Sequence, residues 1–433
     1  MVNFSGNLPL HVYAIERARI DSDEDAAPLD VVLRVSQRIA HAKFSLSQNT
    51  IDLLFSQGKD AFPRLVSLSI HSAMFWAPPE LLFPDTDFPA LRELECHNLF
   101  RVISLSTITS PLLRSLRLID CETTLKEQML PLLRQLPGLE ELVLERALHN
   151  YALERHMVDI LTSPPDPLHT AALPHLKVLR IDEDWGDLVV MFIKYLSFPR
   201  SASVTLQIHH FSHFDRLSAT YLSVLLVGLA EATPQTLLVS CDTGSLTISL
   251  WDACLSAGDA LKPRVVPPRF SCALNSPPAP FITDLISSLP LHHISSAYLV
   301  ERFVGLWYVP DWASLLARTP ALQVLSLCYE VFDSVLPSGA RYRVPPTQLL
   351  GLSCLKSVEI CEMQHRSAAI PNFDPTVAHL GVVAAALQSH AGIDVKKRRE
   401  DLHEGRECLC GGQSESRIWD DVVRNTEACS DGR

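Results

Sequence analysis

One phrase of apolar and polar positions recurs along the chain: an apolar residue or serine, then proline, one or two residues, then Leu-x-x-Leu-x-apolar. Its first copy reads Phe62-Pro63-Arg64-Leu65-Val66-Ser67-Leu68-Ser69-Ile70. It returns at Phe88-Pro89 with Leu91, Leu94 and Cys96, and at Ser110-Pro111 with Leu113, Leu116 and Leu118. Leu136-Pro137 leads into Leu139, Leu142 and Leu144, and Leu173-Pro174 into Leu176, Leu179 and Ile181. Thr319-Pro320 leads into Leu322, Leu325 and Leu327, and a proline-free copy carries Leu355, Val358 and Ile360. The first leucines of the first five copies are 26, 22, 26 and 37 residues apart. Three of these gaps fall in the roughly 20–29-residue period of leucine-rich repeats. The fourth holds Ser163-Pro164-Pro165-Asp166-Pro167, which reads as a loop insertion.

Each phrase predicts a strand. Side chains alternate faces, so Leu68 and Ile70 point inward while Ser67 and Ser69 point outward. The leucine three residues before Leu68 turns in from the approach, and the proline ahead of it stops the preceding helix. Helical periodicity lies between the strands. Glu122 to Leu136 puts Leu125, Met129, Leu132, Leu133 and Leu136 on one stripe, with Thr123 or Thr124 as a cap and Pro131 as a kink or a restart. Gly186 to Phe198 reads similarly. A single strand-plus-helix unit cannot bury its own leucines, so neighbours must stack. The expected fold class is therefore α/β, a leucine-rich-repeat solenoid with a curved parallel sheet and helices on the convex side. An ordinary α/β domain is the competing reading.

The pattern fades between about 200 and 310. Val204, Leu206 and Ile208 alternate as a strand, Leu217 to Ala232 reads as a helix, and Leu237-Val239-Cys241 and Leu246-Ile248-Leu250 flank a hairpin turn at 242–245. The proline-rich stretch from Leu261 to Pro280 reads as an exposed loop. The organisation expected is a helix–strand cap or linker over 1–60, a solenoid over 61–393 with a degenerate middle, and a polar, disordered tail over 394–433.

Composition narrows the role. The chain has 433 residues, 47% of them apolar, and 68 are leucine. Only 16 are glycine, too few for folds built on glycine-rich phosphate loops. A net charge of −12 opposes sequence-independent nucleic-acid binding. No run of 18 apolar residues exists, so no membrane partner is expected. Eleven scattered cysteines without a secretory start suit reduced thiols in the cytoplasm or nucleus.

The segment Leu10-His11-Val12-Tyr13-Ala14-Ile15-Glu16-Arg17-Ala18-Arg19, followed by Ala27-Pro28-Leu29-Asp30-Val31-Val32-Leu33, resembles the helix-then-strand linker of fungal F-box proteins. The Phe-Pro-x-Leu-x-x-Leu repeats that follow are similar to theirs, and the resemblance spans roughly residues 8–395. It implies a substrate receptor of a cullin-RING ubiquitin ligase, in which an F-box grips an Skp-type adaptor and the repeats hold the target. The family's F-box of some 45 residues would precede the linker, where only about nine residues stand. An adaptor is therefore expected as a partner only if an F-box lies upstream. The alternative is a structural scaffold unrelated to ubiquitination.

The outward positions form the candidate protein-binding face: Ser67, Ser69, Glu93, Glu95, Ser115, Arg117, Glu141, Glu145, Arg180 and Asp182, with His71, His97, Ile119, Val143 and Val178 among them. Glu93 and Glu95 are expected beside Arg117. Chemical motifs are sparse. Asp242-Thr243-Gly244 matches the aspartic-protease triplet, but that chemistry needs two carboxylates and the chain holds one copy. His209, His210, His213 and Asp215 could suggest a metal, yet the first two alternate faces. Cys408 and Cys410 with His403 are spaced too closely for zinc. Lys396-Lys397-Arg398-Arg399 reads as a nuclear signal, a basic contact or a solvated run. No catalytic residue, cofactor or metal is expected, and the protein is expected not to be an enzyme.

Overall fold

The computed structural model describes residues 8–15, 32–46, 62–72, 88–98, 110, 112–121, 123–149, 170–210, 233–242, 245–256, 260, 266–275, 277, 279–301, 312–328, 352–362 and 393–399. The strands in chain order are β1 (Leu10–Ile15), β2 (Ile39–Leu46), β3 (Ser67–Ser72), β4 (Glu93–His97), β5 (Ser115–Ile119), β6 (Thr123–Thr124), β7 (Glu141–Glu145) and β8 (Leu148–His149). Then come β9 (Ala171–Ala172), β10 (Val178–Trp185), β11 (Leu196–Ser197), β12 (Ser203–His210), β13 (Thr236–Asp242) and β14 (Ser245–Trp251). The last are β15 (Phe270–Asn275), β16 (Ser296–Glu301), β17 (Val324–Cys328), β18 (Ser357–Glu362) and β19 (Asp394–Arg399).

Fifteen of these strands form one sheet in the order β1-β2-β3-β4-β5-β7-β10-β12-β15-β14-β13-β16-β17-β18-β19. Every neighbouring pair is parallel except the two that β14 makes, with β13 and with β15. Corresponding phrase positions sit directly opposite one another: Leu68↔Leu94, Leu94↔Leu116, Leu116↔Leu142 and Leu142↔Leu179. The chain is thus an α/β leucine-rich-repeat solenoid, each repeat adding one strand.

Two devices hold this register. The residue before each proline accepts the amide of the leucine three positions on, at 3.2 Å for Leu65 to Phe62 and 3.1 Å for Leu139 to Leu136. Proline therefore sits at the second position of a β-turn that aims the leucine inward, in addition to ending the preceding segment. The proline-free copy makes the same turn, Leu355 to Leu352 at 3.0 Å. A main-chain relay then runs sideways through the repeats: Arg92 N–H to Val66 O, Arg114 to Arg92, Glu140 to Arg114 and Lys177 to Glu140, all at 2.7–2.8 Å. Behind the sheet, Leu65, Leu91, Leu116, Leu139 and Leu179 are at most 0% exposed, and a single apolar cluster runs from Val32 to Ile393. The helices at Gly186–Lys194 and Ala279–Ser288 bury Val189, Phe192, Phe281 and Leu285 in that cluster, so they lie on this face of the sheet.

Several expected elements take other forms. The Glu122–Leu136 stripe is β6, a π-type turn over Leu125–Met129 and an α-helix over Leu130–Arg134 that contains Pro131. Met129 ahead of it is already helical, so Pro131 sits inside a continuous helical run, and the amide it lacks falls where the wider π-type turn passes into the α-helix. Thr123 does not cap; its hydroxyl donates to Ala147 O at 2.6 Å. The expected linker order is reversed: Leu10–Ile15 is a strand parallel to β2, and residues 32–35 are helical. Within the proline-rich stretch read as a loop, Phe270–Asn275 is a sheet strand with Phe270, Cys272 and Leu274 buried. The run 394–399 read as tail is β19, paired with β18. The hairpin joins β13 and β14 inside the sheet, Asp242 opposite Ser245. The Leu217–Ala232 helix, the insertion at 163–167 and the chain after 399 lie outside the described residues.

One charged residue breaks the inward row. Glu183, 2% exposed, follows Ile181 on the core side of β10. Its Oε1 accepts the amides of Ala147 at 2.8 Å and Leu148 at 2.9 Å, pinning the turn after β7. Burial pushes its carboxyl up to about 8, although those two amides pull the other way.

Two outcomes follow for stability. Leu116→Ala empties a fully buried position and is expected to cost roughly 2–5 kcal/mol in urea unfolding. Because the folded carboxyl of Glu183 holds its proton up to about 8, against an ordinary 4.5, the stability it contributes is complete below 4.5 and lost as pH rises through 8. The free energy of unfolding, followed between pH 5 and 9, is therefore expected to fall toward the alkaline side by an amount on the order of a few kcal/mol, and Glu183→Gln, which keeps the acceptor oxygen, to flatten that fall.

Candidate functional site

Strand alternation that sends the leucines inward sends the intervening residues to the opposite face. Register aligns them in rows across the strands: Lys43, Ser69, Glu95, Arg117, Val143 and Arg180 in one, Ser45, His71, His97, Ile119, Glu145 and Asp182 in the next. A third row holds His41, Ser67, Glu93, Ser115, Glu141 and Val178. All ten candidate residues thus fall on one face, away from the helices.

Most of them engage one another. Glu141 is the centre of one group: Ser115 Oγ donates to Oε2 and Arg117 to Oε1, both at 2.7 Å. Arg117 was expected beside the Glu93 and Glu95 row; it lies opposite Glu95 in register but turns the other way, to Glu141. Glu95 accepts instead from His97 Nε2 at 2.6 Å and from Ser69 Oγ at 3.2 Å. The histidine bond, ahead of the opposing cost of burial, holds the Glu95 carboxyl below its ordinary range. Arg180 reaches Glu145 at 3.6 Å. Glu93 and Arg117 are exposed, while Ser67 is half-buried. Val143, counted among the outward residues, is only 6% exposed. It stands between Arg117 and Arg180, whose long aliphatic stems can lie across it.

Histidines knit the two ends. His71 meets Ser45 Oγ through Nδ1 at 3.2 Å and accepts from Asn98 Nδ2 through Nε2 at 2.9 Å. Its ring packs edge-on against His97 with centroids 5.8 Å apart. Burial, then the neighbouring His97 and Lys43, lowers its pKa. Farther along, His209 Nε2 donates to Asp182 at 2.8 Å while Nδ1 accepts from Asn275 at the same distance. His209 is therefore a link in the face, and His210 instead packs against Trp185, centroids 5.6 Å apart. His213 and Asp215 lie outside the described residues; among the described residues no group of three metal-ligating side chains occurs.

Sequence reasoning passed over Lys43 and His41 because β2 lacks the leucine phrase, although Ala42, Phe44 and Leu46 of Ile39–Leu46 do alternate. Asn275 was hidden in the proline-rich stretch. Asn98, Asp120 and Arg146 close β4, β5 and β7 with φ of 54°, 52° and 48°. The amides of Asn98 and Asp120 donate to the last strand residues of the next repeat, Ile119 and Glu145, at 3.0 and 2.8 Å, and that of Arg146 donates to Asp182, inside β10, at 2.7 Å. Asparagine and aspartate tolerate that conformation well. Arg146 also reaches Asp120 at 2.7 Å. Cys96, Cys121, Cys241 and Cys272 are buried and form no disulfide, and burial raises the Cys96 thiol and pushes Cys272 up to about 12. Cys96 and Cys272 therefore stay protonated and unreactive. No helix among the described residues is long and apolar enough to cross a membrane.

Comparison with known proteins adds little. No family model and no curated protein matches the chain. Among solved structures, the leucine-rich repeat-containing protein LegL7 from Legionella pneumophila is similar, at 12% identity over 88% of this chain and 98% of that one, with a TM-score of 0.29. The repeat architecture rests on the strand register described above and not on that likeness.

The ring of His71 is held neutral, so acidification must charge it against its surroundings. Stability is expected to decline as pH falls below its ordinary value of 6.5. His71→Gln should reduce that decline, measured by urea unfolding at pH 7 and pH 5.

Proposed function

We propose that the protein is a non-enzymatic interaction module that recognises another polypeptide on the face built by β2 to β12. The observation that carries this is the cross-linked row of polar side chains: Ser115, Arg117 and Glu141, then Ser69, Glu95 and His97, held in fixed geometry by register and mutual hydrogen bonds. Preorganised polar groups offer specificity at low entropic cost, since their rotamers are already restricted.

The finer reading is that of a substrate receptor for an F-box-type ubiquitin ligase. The Phe-Pro-x-Leu-x-x-Leu phrases at 62–68 and 88–94 support it, as repeats similar to those of fungal F-box proteins. On this reading an Skp-type adaptor binds if an F-box precedes the repeats. The partner is a protein, with no cofactor, metal, nucleic acid or membrane involved, and the module acts in the cytoplasm or nucleus.

Affinity capture of the full chain with mass spectrometry tests both levels. A defined target lost from the Ser69→Arg and Glu93→Lys variants, each with unfolding within about 0.5 kcal/mol of the parent, supports recognition by this face. Recovery of an Skp-type adaptor supports the ligase reading, and a target without an adaptor favours the scaffold. Targets retained by both variants would overturn the face assignment.

A further inference from the structure

The sideways main-chain relay fixes the residues that stand just ahead of the strands, at the rim where the strands begin. Arg92, Arg114, Glu140 and Lys177 follow one another along it, each amide after the first donating to the carbonyl of its predecessor at 2.7 Å. Neighbouring strands are about 4.8 Å apart, so these side chains share a short stretch of rim. Val66 opens the relay, and Arg64, exposed, lies two residues ahead of it, one step farther out.

The charges along this rim do not cancel. Glu140 is the one carboxylate of the row, and it serves both Arg114, at 2.7 Å, and Lys177. Those two cations stay open, with side chains 51% and 70% exposed. Arg64 and Arg92 are exposed as well and have no carboxylate partner among the described residues. Like charges side by side, as on Arg92 and Arg114, are unfavourable by themselves. The chain nevertheless gathers four cations against one carboxylate here, although its net charge is −12. Glu93 carries the opposite sign one residue inward, so an incoming anion is favoured on the outer side of the row.

Two exposed apolar side chains lie in the same strip. Leu112, two residues before Arg114, is 41% exposed, and Val178, directly after Lys177, is 40% exposed. Cations set among open aliphatic groups match a segment that mixes carboxylates with apolar residues. A nucleic-acid strand fits less well. It is held by stacking on aromatic rings along a continuous cationic track, whereas no Phe, Tyr or Trp stands at these positions and Glu140 interrupts the cations.

We propose that the rim from Arg64 to Lys177 docks an acidic polypeptide segment lying across the strands, its carboxylates on Arg92, Arg114 and Lys177 and its apolar residues over Leu112 and Val178. This rests on the open face being a polypeptide-binding surface, and it assigns the rim of that face the chemistry of a partner.

The test follows a fluorescent synthetic peptide of repeated Glu-Glu-Leu by anisotropy with the full chain, beside a Gln-Gln-Leu control and a labelled oligothymidine. The parent is expected to bind the glutamate peptide at least about tenfold more tightly than the control, and less tightly as salt rises from about 0.05 M to about 0.5 M. Arg92→Glu, which breaks no ion pair, should weaken binding roughly tenfold while the thermal transition stays at the parent's. Leu112→Ser combined with Val178→Ser should weaken it roughly 3- to 10-fold. Glu93→Lys, which removes the opposing charge, should bind the peptide as tightly as the parent or more so. A parent that ignores the glutamate peptide, or an Arg92→Glu variant that binds it as the parent does, overturns the proposal. Oligothymidine bound more tightly than the peptide, and lost in Arg92→Glu, also overturns it in favour of a nucleic acid. Capture of a target that Ser69→Arg abolishes is independent of these readings, so the rim and the open face can each fail alone.

Discussion

The structure depends on one constraint: a strand has a side-chain period of two, and pairing register decides which half of it meets water. A slip of one residue in any repeat would turn its leucines outward and its charged residues into the core. The proline turns, the sideways main-chain relay and the inward leucines all fix the same register. The outward face follows from the same choice. Glu141 can bind both Ser115 and Arg117 because the strand that carries it is locked, in register, beside theirs.

That dependence explains what could be read in the sequence. The repeats at 62–181 were legible because three inward positions recur with an inserted proline, and the ten face residues then fall between them. Other strands hid behind conflicting local signals. β15 carries Phe270, Cys272 and Leu274 at alternate positions, but the prolines on either side mark a loop. The Lys-rich β19 has the composition of a tail, and only the unpaired edge of β18 makes it a strand. Six residues at Leu10–Ile15 fit a helix about as well as a strand, and pairing with β2 decides. On the face, positions were legible but partners were not. Arg117 has carboxylates on both sides, and choosing Glu141 over Glu95 depends on His97 and Ser69 having already engaged Glu95.

Electrostatics here serve geometry more than stability. Ion pairs with half-exposed partners, such as Arg117 with Glu141 at 45% and 29% exposure, contribute about 0–1 kcal/mol each. They restrict rotamers and so hold a defined pattern of donors and acceptors. Glu183 shows the opposite case. Placed among leucines, it accepts the amides of Ala147 and Leu148, and burial makes the proton part of the structure.

The reversed strand β14 carries a consequence for how the chain assembles. In a plain solenoid each repeat docks on the one just made, and structure can spread along the chain by nearest-neighbour steps. Here β13 lies three places from β12, and the gap is filled only when β14 and β15 return. Propagation from the N-terminal side must halt at β12 until that meander closes, a step that costs loop entropy before any contact repays it. The N-terminal run of repeats and the run from β16 onward are accordingly two cooperative blocks with a slow splice between them, and partial unfolding should separate the molecule there first.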